Sequence, residues 1–365
     1  MKEEEETAMS TMTPHKHLDA HERPPEAIRN IYKKYQKMKR EALTLDRAIV
    51  DGPSEAPSDA LRVVRRFDFE ELRPTFDAFT GPSRPSDHEN LQDTLPVYEH
   101  PDIPGLQLIP NLLPPSVQIT LLDRLLHRDL SNPTHKTNIH THYNIPYPSS
   151  SMSFFSVPAS PEQTFTPLDP HLHKPLTLAS FFQKKLRWMT LGGQYDWTAK
   201  AYPAAPPPPF PADIAALLTD LFPETKPESA ILNFYAPGDT LSMHRDVAES
   251  CGKGLVSISL GCDGIFVIGV EGKAKGECRT VVVRLRSGDA VYMIGESRFA
   301  WHGVPQIVAG TCPEFLRDWP AGSREKGEEV QADEDGTGGG EDPYERWRSW
   351  MAGKRINLNV RQMFE

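Results

Sequence analysis

The sequence predicts a mainly β chain with flanking helices (α+β), organised as a double-stranded β-helix, or jelly roll. Eight short Val/Ile-rich segments fall in its second half: residues 230–235, 241–245, 255–260, 264–270, 280–285, 289–294, 299–304 and 355–363. Gly, Pro or Asp turns separate them, and eight short strands in this order suggest two packed sheets. The chain has 365 residues, with 35 prolines and 24 glycines, which fits one large domain with appendages and much loop.

Residues 1–25 are polar and charged, with His15, His17 and His21, and read as a disordered tail. Residues 26–50 read as a basic amphipathic helix. Ile28, Ile31, Tyr32, Tyr35, Met38, Ala42 and Leu45 recur at helical spacing, and Arg29, Lys33, Lys34, Lys37, Lys39 and Arg40 form the other face. Residues 51–100 read as a Pro/Ser-rich connector, whose apolar island at 67–79 is expected to dock on the core. The catalytic domain is expected over 101–365. It opens with a short strand at 106–110 and an amphipathic helix at 116–130, N-capped by Ser116. Residues 131–175 carry His135, His140, His142, His171 and His173 outside any periodic pattern, and read as a flexible loop over the active site. A helix at 213–222 backs the sheet, and an acidic, Gly-rich insert at about 320–342 is expected to be disordered.

The chemistry concentrates in the stretch that ends His244-Arg-Asp246. Two residues apart on a strand, His244 and Asp246 would share a face. A third inward ligand at His302 completes a two-histidine, one-carboxylate face with open positions, which suits non-haem Fe(II). Downstream, Arg355, Asn357, Asn359 and Arg361 alternate along one strand. Guanidinium forks bind carboxylates in bidentate fashion, so this strand fits a dicarboxylate co-substrate beside the metal. Taken alone, His-x-Asp is a weak signal and His302 reads as a packed core histidine. The ordered combination is what carries the argument.

The full pattern is Asn233-x-Tyr235-x-Pro237-Gly238-x-x-Leu241-x-x-His244-x-Asp246, then Gly295-Glu296-Ser297-Arg298-x-x-x-His302-Gly303, then Arg355-x-Asn357-x-x-x-Arg361-Gln362. It resembles the AlkB family of Fe(II)- and 2-oxoglutarate-dependent dioxygenases. The stretch from Leu186 to Trp197 and the long insert before Arg355 resemble its homologue 1 subgroup. The resemblance covers roughly residues 100–310 and 344–364. It implies His244, Asp246 and His302 as iron ligands, with Arg355 on the distal carboxylate of 2-oxoglutarate and Arg361 near the carboxylate that chelates iron. Asn233, Tyr235, Asn357 and Asn359 would support the same co-substrate. Trp197 and Tyr202 would hold an extruded base by stacking. The implied reaction is oxidative demethylation of alkylated DNA or tRNA bases with O₂, releasing formaldehyde, succinate and CO₂. Where bacterial members carry an acidic residue two positions after the ligand aspartate, this chain has Ala248, followed by Glu249.

The net charge of −10 decides little about a nucleic-acid partner. Residues 325–345 hold nine acids against one lysine, and Glu3–Glu6 add four; setting these aside leaves the remainder near +2. The four cysteines, Cys251, Cys262, Cys278 and Cys312, form no Cys-x-x-Cys pair, which argues against a disulfide framework or zinc site. No apolar run approaches the roughly 20 residues of a membrane span. A monomer in the nucleus, cytoplasm or mitochondrion is expected. Two rival classes are an iron hydroxylase of protein or small molecules, and a non-catalytic β-helix scaffold. The Asn233-x-Tyr235 and Trp197 matches disfavour the first, and the intact triad with both arginines disfavours the second.

Overall fold

Short runs of Val, Ile and Leu assemble into two sheets that face one another across a shared core. The computed structural model describes residues 18–51, 61–81, 93–149, 152–158, 164–274, 276–322 and 342–364. In chain order come helices Glu26–Lys37 (α1) and Arg40–Leu45 (α2), strands Ile49–Asp51 (β1) and Arg62–Asp68 (β2), and helix Phe69–Thr80 (α3). Strands Thr94–Glu99 (β3) and Leu106–Ile109 (β4) and helix Pro115–Leu122 (α4) follow. Tyr143–Asn144 (β5), Thr164–Pro167 (β6) and Leu176–Thr177 (β7) form a small separate sheet. The remaining strands are Trp188–Gly192 (β8), Ser229–Tyr235 (β9), Leu241–His244 (β10), Leu255–Gly261 (β11), Gly264–Glu271 (β12), Cys278–Leu285 (β13), Ala290–Met293 (β14), Trp301–Ile307 (β15) and Arg355–Arg361 (β16).

All eight strands expected from the sequence form, and the double-sheet architecture is present. One sheet has the order β1-β13-β12-β15-β10, the other β2-β3-β4-β14-β11-β16-β9-β8. Side chains alternate across a strand, and β12 shows the result. Phe266, Ile268 and Val270 point to the core between the sheets, whereas Ile265 and Val267 point to the back. There α1 covers them with Ile28, Tyr32 and Tyr35. Both faces of this sheet are therefore buried, which is why its strands read as continuous apolar runs.

Several boundaries differ from expectation. The single helix over 26–50 is instead α1, α2 and a strand. Met38 is extended (φ −71°, ψ 133°), and its carbonyl accepts a hydrogen bond from the Gln306 side chain at 3.2 Å, so a tertiary contact ends α1. β1 then pairs parallel with β13. Nor is the described part of 51–100 a connector. β2 and β3 extend the larger sheet, and α3 buries Phe69, Leu72, Phe76 and Phe79. Solvent-facing arginines on β2 hide its strand pattern. The helix expected at 116–130 holds, beginning at Pro115 and continuing as a wider π turn over Asp123–Asp129, but Pro114 and not Ser116 is its N-cap.

The described part of 131–175 is packed on the core rather than free of it. Phe155 lies 4.0 Å from Phe182 between ring centroids, 5.2 Å from Trp319 and 5.2 Å from Trp350. This aromatic cluster joins the 152–158 stretch to the two ends of the acidic insert. Those ends meet, since Gly322 N donates to Asp342 Oδ2 at 2.8 Å. The expected disorder of the insert and of the N-terminal tail falls largely on residues 323–341 and 1–17, which lie outside the described residues.

Candidate metal and co-substrate site

His244 and His302 are direct register partners on adjacent antiparallel strands, β10 and β15. The pairing brings their rings together at a tilt, 4.4 Å between centroids and 50° between planes. Asp246 lies just past the end of β10, in irregular backbone rather than on the strand. Its Oδ1 is 3.7 Å from His244 Nε2 and its Oδ2 is 3.7 Å from His302 Nε2. Among the described residues these three form the one group of His, Cys, Asp and Glu donors able to share an ion, all within 4.8 Å of one another. None of the five histidines between 131 and 175 belongs to it.

The protonation pattern is that of a metal site. His244 Nδ1 donates to the Ser242 carbonyl at 2.9 Å and His302 Nδ1 donates to the Ala300 carbonyl at 3.0 Å. A carbonyl only accepts, so each Nδ1 carries the proton and each Nε2 offers its lone pair inward. His302 Nε2 is buried without a hydrogen-bond partner. Burial, and next the neighbouring His244, push the His302 imidazole down to about 4, so it is neutral and ready to ligate. Burial alone would raise the Asp246 carboxyl. Arg361 and the two histidines outweigh that and hold it well below the usual carboxylate range. The donor set thus fits a cation.

β16 supplies the opposite wall, with all seven of its residues buried between β11 and β9. Register places Arg355 opposite Tyr235, and Asn357 opposite Asn233. Arg355 donates to the carbonyls of Cys262 (3.1 Å) and Leu285 (3.2 Å) and to Ser259 Oγ (2.7 Å). Three of its five N–H groups are thereby engaged, and among the described residues no carboxylate pairs with it. Its Nε is buried and unpartnered, as are Tyr235 OH and Asn359 Oδ1. Gly264 makes room for this side chain, because a Cβ there would stand 2.7 Å from Arg355 Nε. A small interior void of about 20 Å³ lies between His302 and the guanidinium, lined also by Ser257, Asn357 and Asn359. Orphaned polar groups around this void, beside a guanidinium with Nε–H and one further N–H left over, suit a carboxylate. Asn357 is already engaged, donating to Ser257 Oγ at 2.8 Å and the Ile258 carbonyl at 3.1 Å.

Arg361 is placed differently. Its NH2 is 2.9 Å from Asp246 Oδ2 and its Nε 3.4 Å from Glu249 Oε1. Arg361 therefore braces a metal donor, one step from the co-substrate void. Two residues absent from the expected set complete the brace. Glu249 and Arg298 are both buried and lie 3.1 Å apart, and Arg298 also donates to the Asp246 carbonyl at 2.8 Å and the Lys253 carbonyl at 2.9 Å. The Gly295-Glu-Ser-Arg298 motif and the position of Glu249 three residues after Asp246 were the available signals.

Trp197 is 42% exposed within an aromatic series. It lies 5.3 Å from Trp188 and 5.0 Å from Tyr195, and Tyr195 lies 5.4 Å from Tyr202. The Tyr202 hydroxyl contacts Ser229 Oγ (3.2 Å), Glu249 Oε1 (3.3 Å) and Arg361 NH1 (3.4 Å). Burial, and next the Asp246 charge, push the hydroxyl of Tyr195, to which sequence reasoning gave no role, up to about 12. A cavity of about 600 Å³ opens beside Tyr202, lined also by Gln194, Ala248, Glu249 and the proline run 203–208.

A family model described as the 2OG-Fe(II) oxygenase superfamily matches residues 105–361. The chain is 46% identical, over 95% of its length and 98% of the other's, to a protein of Pyricularia oryzae named N6-methyladenosine RNA demethylase ALKB1. It is 49% identical over 62% of its length, and 99% of the other's, to the N6-methyladenosine RNA demethylase ALKBH of Cryphonectria parasitica. To the tRNA demethylase abh1 of Schizosaccharomyces pombe it is 34% identical, over 73% of this chain and 82% of that one.

Proposed function

The chain belongs to the 2OG-Fe(II) oxygenase superfamily, in its AlkB homologue 1-like branch, and from that premise we infer that it is an Fe(II)- and 2-oxoglutarate-dependent demethylase of nucleic acid. One observation carries the reading of the site: three converging metal donors beside a buried guanidinium that, among the described residues, has no protein carboxylate. His244, Asp246 and His302 would hold the iron. Bound there with 2-oxoglutarate and O₂, iron supplies the oxidation that turns an N-methyl group into formaldehyde, with succinate and CO₂ as co-products.

The chain's own residues do the rest. The free edge of Arg355 receives the distal carboxylate, and Tyr235 and Asn359 take the remaining polar contacts of the void. Arg361, held by Glu249, keeps Asp246 ionised and aimed. Trp197, Tyr195 and Tyr202 offer ring faces at the mouth, where a base taken out of its stack would be received. RNA carrying N6-methyladenosine is the substrate we favour, because two relatives, one aligned over nearly the whole chain, carry that name.

The test is incubation with Fe(II), 2-oxoglutarate and O₂ on matched RNA, tRNA and DNA carrying N6-methyladenine, 1-methyladenine or 3-methylcytosine. Nucleosides, formaldehyde and succinate are quantified together. Loss of N6-methyladenosine from RNA with stoichiometric succinate is expected, and His244→Ala abolishes both. Succinate without any change in base across the panel would assign the site to a protein or small-molecule substrate.

A further inference from the structure

The ladder that brings His244 to His302 is thin. β10 is a four-residue edge strand, and it pairs with β15 at only two positions, Leu241↔Val304 and His244↔His302, with an irregularity between them. Two backbone pairs separated by a break do not fix an edge strand firmly. Asp246 lies beyond the strand altogether. Something other than the ladder must set the spacing of the donors.

The residues between the donors supply it. Alternation along β15 sends Trp301, before His302, to the back of the sheet, and Arg245, just past β10 between His244 and Asp246, lies there against it. There the Arg245 guanidinium lies over the Trp301 indole, 4.2 Å from a ring centroid. Glu271, at the end of β12, ties both together. Its Oε1 is 2.8 Å from Arg245 NH2 and accepts from Trp301 Nε1 at 3.3 Å. Glu22, from the segment before α1, takes Arg245 NH1 at 2.7 Å. The indole is 1% exposed and the arginine side chain 11%, so the contact sits largely out of water, where a cation over a ring is strongest.

We propose that Arg245 and Trp301 are positioning residues for the metal: a latch on the back of β10 and β15 that sets the separation of the donors on the front. The proposal rests on reading His244, Asp246 and His302 as the metal ligands. Neither latch residue touches the metal. The Glu22 contact extends the latch to the N-terminal segment, whose Ala20 carbonyl accepts from Lys200 Nζ at 2.8 Å beside the aromatic series.

Mn(II) binding to metal-free protein, followed by calorimetry and electron paramagnetic resonance, tests this without turnover. Removing an outer-shell support costs roughly 10-fold or more in metal affinity, and Arg245→Met is expected to show that loss. Arg245→Lys keeps a cation over the ring and should recover most of it. Trp301→Phe should be intermediate, and the double variant Arg245→Met/Trp301→Phe no worse than Arg245→Met alone, because both break one contact. The Co(II) absorption band, a report of ligand geometry, should shift in Arg245→Met. The control is Arg279→Met, which breaks the 2.6 Å pair with Glu296 away from the ligand strands and should leave the affinity unchanged. Wild-type binding with an unmoved Arg245→Met overturns the latch alone, as does an equal loss in Arg279→Met. Absence of metal binding in the wild-type protein overturns the metal assignment and the latch with it.

Discussion

Replacing Arg355 with lysine separates a co-substrate clamp from a buried strut. The guanidinium already serves the carbonyls of Cys262 and Leu285 and the Ser259 hydroxyl, leaving Nε–H and one further N–H for a ligand. An ammonium has three N–H groups in place of five and no fork, so it cannot hold the protein acceptors and a carboxylate together. A hydrogen bond to a charged group contributes about 1.5–3 kcal/mol. At about 1.4 kcal/mol per tenfold, its loss raises the 2-oxoglutarate dissociation constant by roughly 10- to 150-fold. The assay is calorimetric titration of 2-oxoglutarate into Mn(II)-loaded protein. Mn(II) affinity measured beforehand should stay within about twofold, because Arg355 touches none of the three donors. Gly264→Ala gives an independent perturbation, since its Cβ would displace the same side chain. It should weaken 2-oxoglutarate with the guanidinium intact. If Arg355→Lys lowers the melting temperature and leaves 2-oxoglutarate binding unchanged, Arg355 is a strut and the clamp must be sought elsewhere.

Arg361→Lys is expected to act on the metal more than on 2-oxoglutarate. It loses the contact that braces Asp246, and Mn(II) affinity should fall roughly 10-fold; a selective loss of 2-oxoglutarate binding would contradict this. Deleting 325–341, sparing Asp342, should leave turnover intact and tighten RNA binding at low salt, since seven acids and one lysine are removed. Unchanged filter-binding affinity from low to high salt would refute the second half. Asp289 gives a pH signature. Burial pushes its carboxyl from 3.8 up to about 6, against the backbone N–H groups of Asn111 and Arg286. A raised folded-state value stabilises fully below the unfolded value, and that contribution is lost as pH rises through about 6. The stability of the wild type relative to Asp289→Asn should therefore fall by roughly 2 kcal/mol between pH 4 and 7. Denaturation curves showing a constant difference across that range would disprove it.

The jelly-roll strands were legible because each carries its own signal: a β-branched run bounded by turn residues. The metal donors were legible because their order along the chain matches a chemical need. What escaped was set by tertiary contact. β2 is an edge strand with outward arginines, so no apolar alternation marks it. The break after Lys37 depends on a side chain 268 residues away, Gln306. The strand pattern put Arg355 and Arg361 on one face and suggested one shared role. Only the fold shows that Arg361 meets Asp246 while Arg355, among the described residues, meets no carboxylate. Glu249 and Arg298 form one buried pair from two distant segments, and neither residue alone announces it.

β16 lies in the middle of the larger sheet yet comes after every other strand of it along the chain. During synthesis, a ribosome that has passed β9 and β11 has made both neighbours of a strand that does not yet exist. Until residue 361 has emerged, the sheet is two partial sheets, β2-β3-β4-β14-β11 and β9-β8, each with an unpaired inner edge. Closing the gap joins residues from 94 (Gly261↔Arg355) to 132 (Ser229↔Arg361) positions apart, which is a slow kind of step. The same event delivers Arg355 and Arg361 to the site. Acquisition of the sheet's continuity and acquisition of the co-substrate wall are thus one step. A nascent chain is held without that wall until its folding is nearly finished, and it is most exposed to edge-to-edge association in the interval just before.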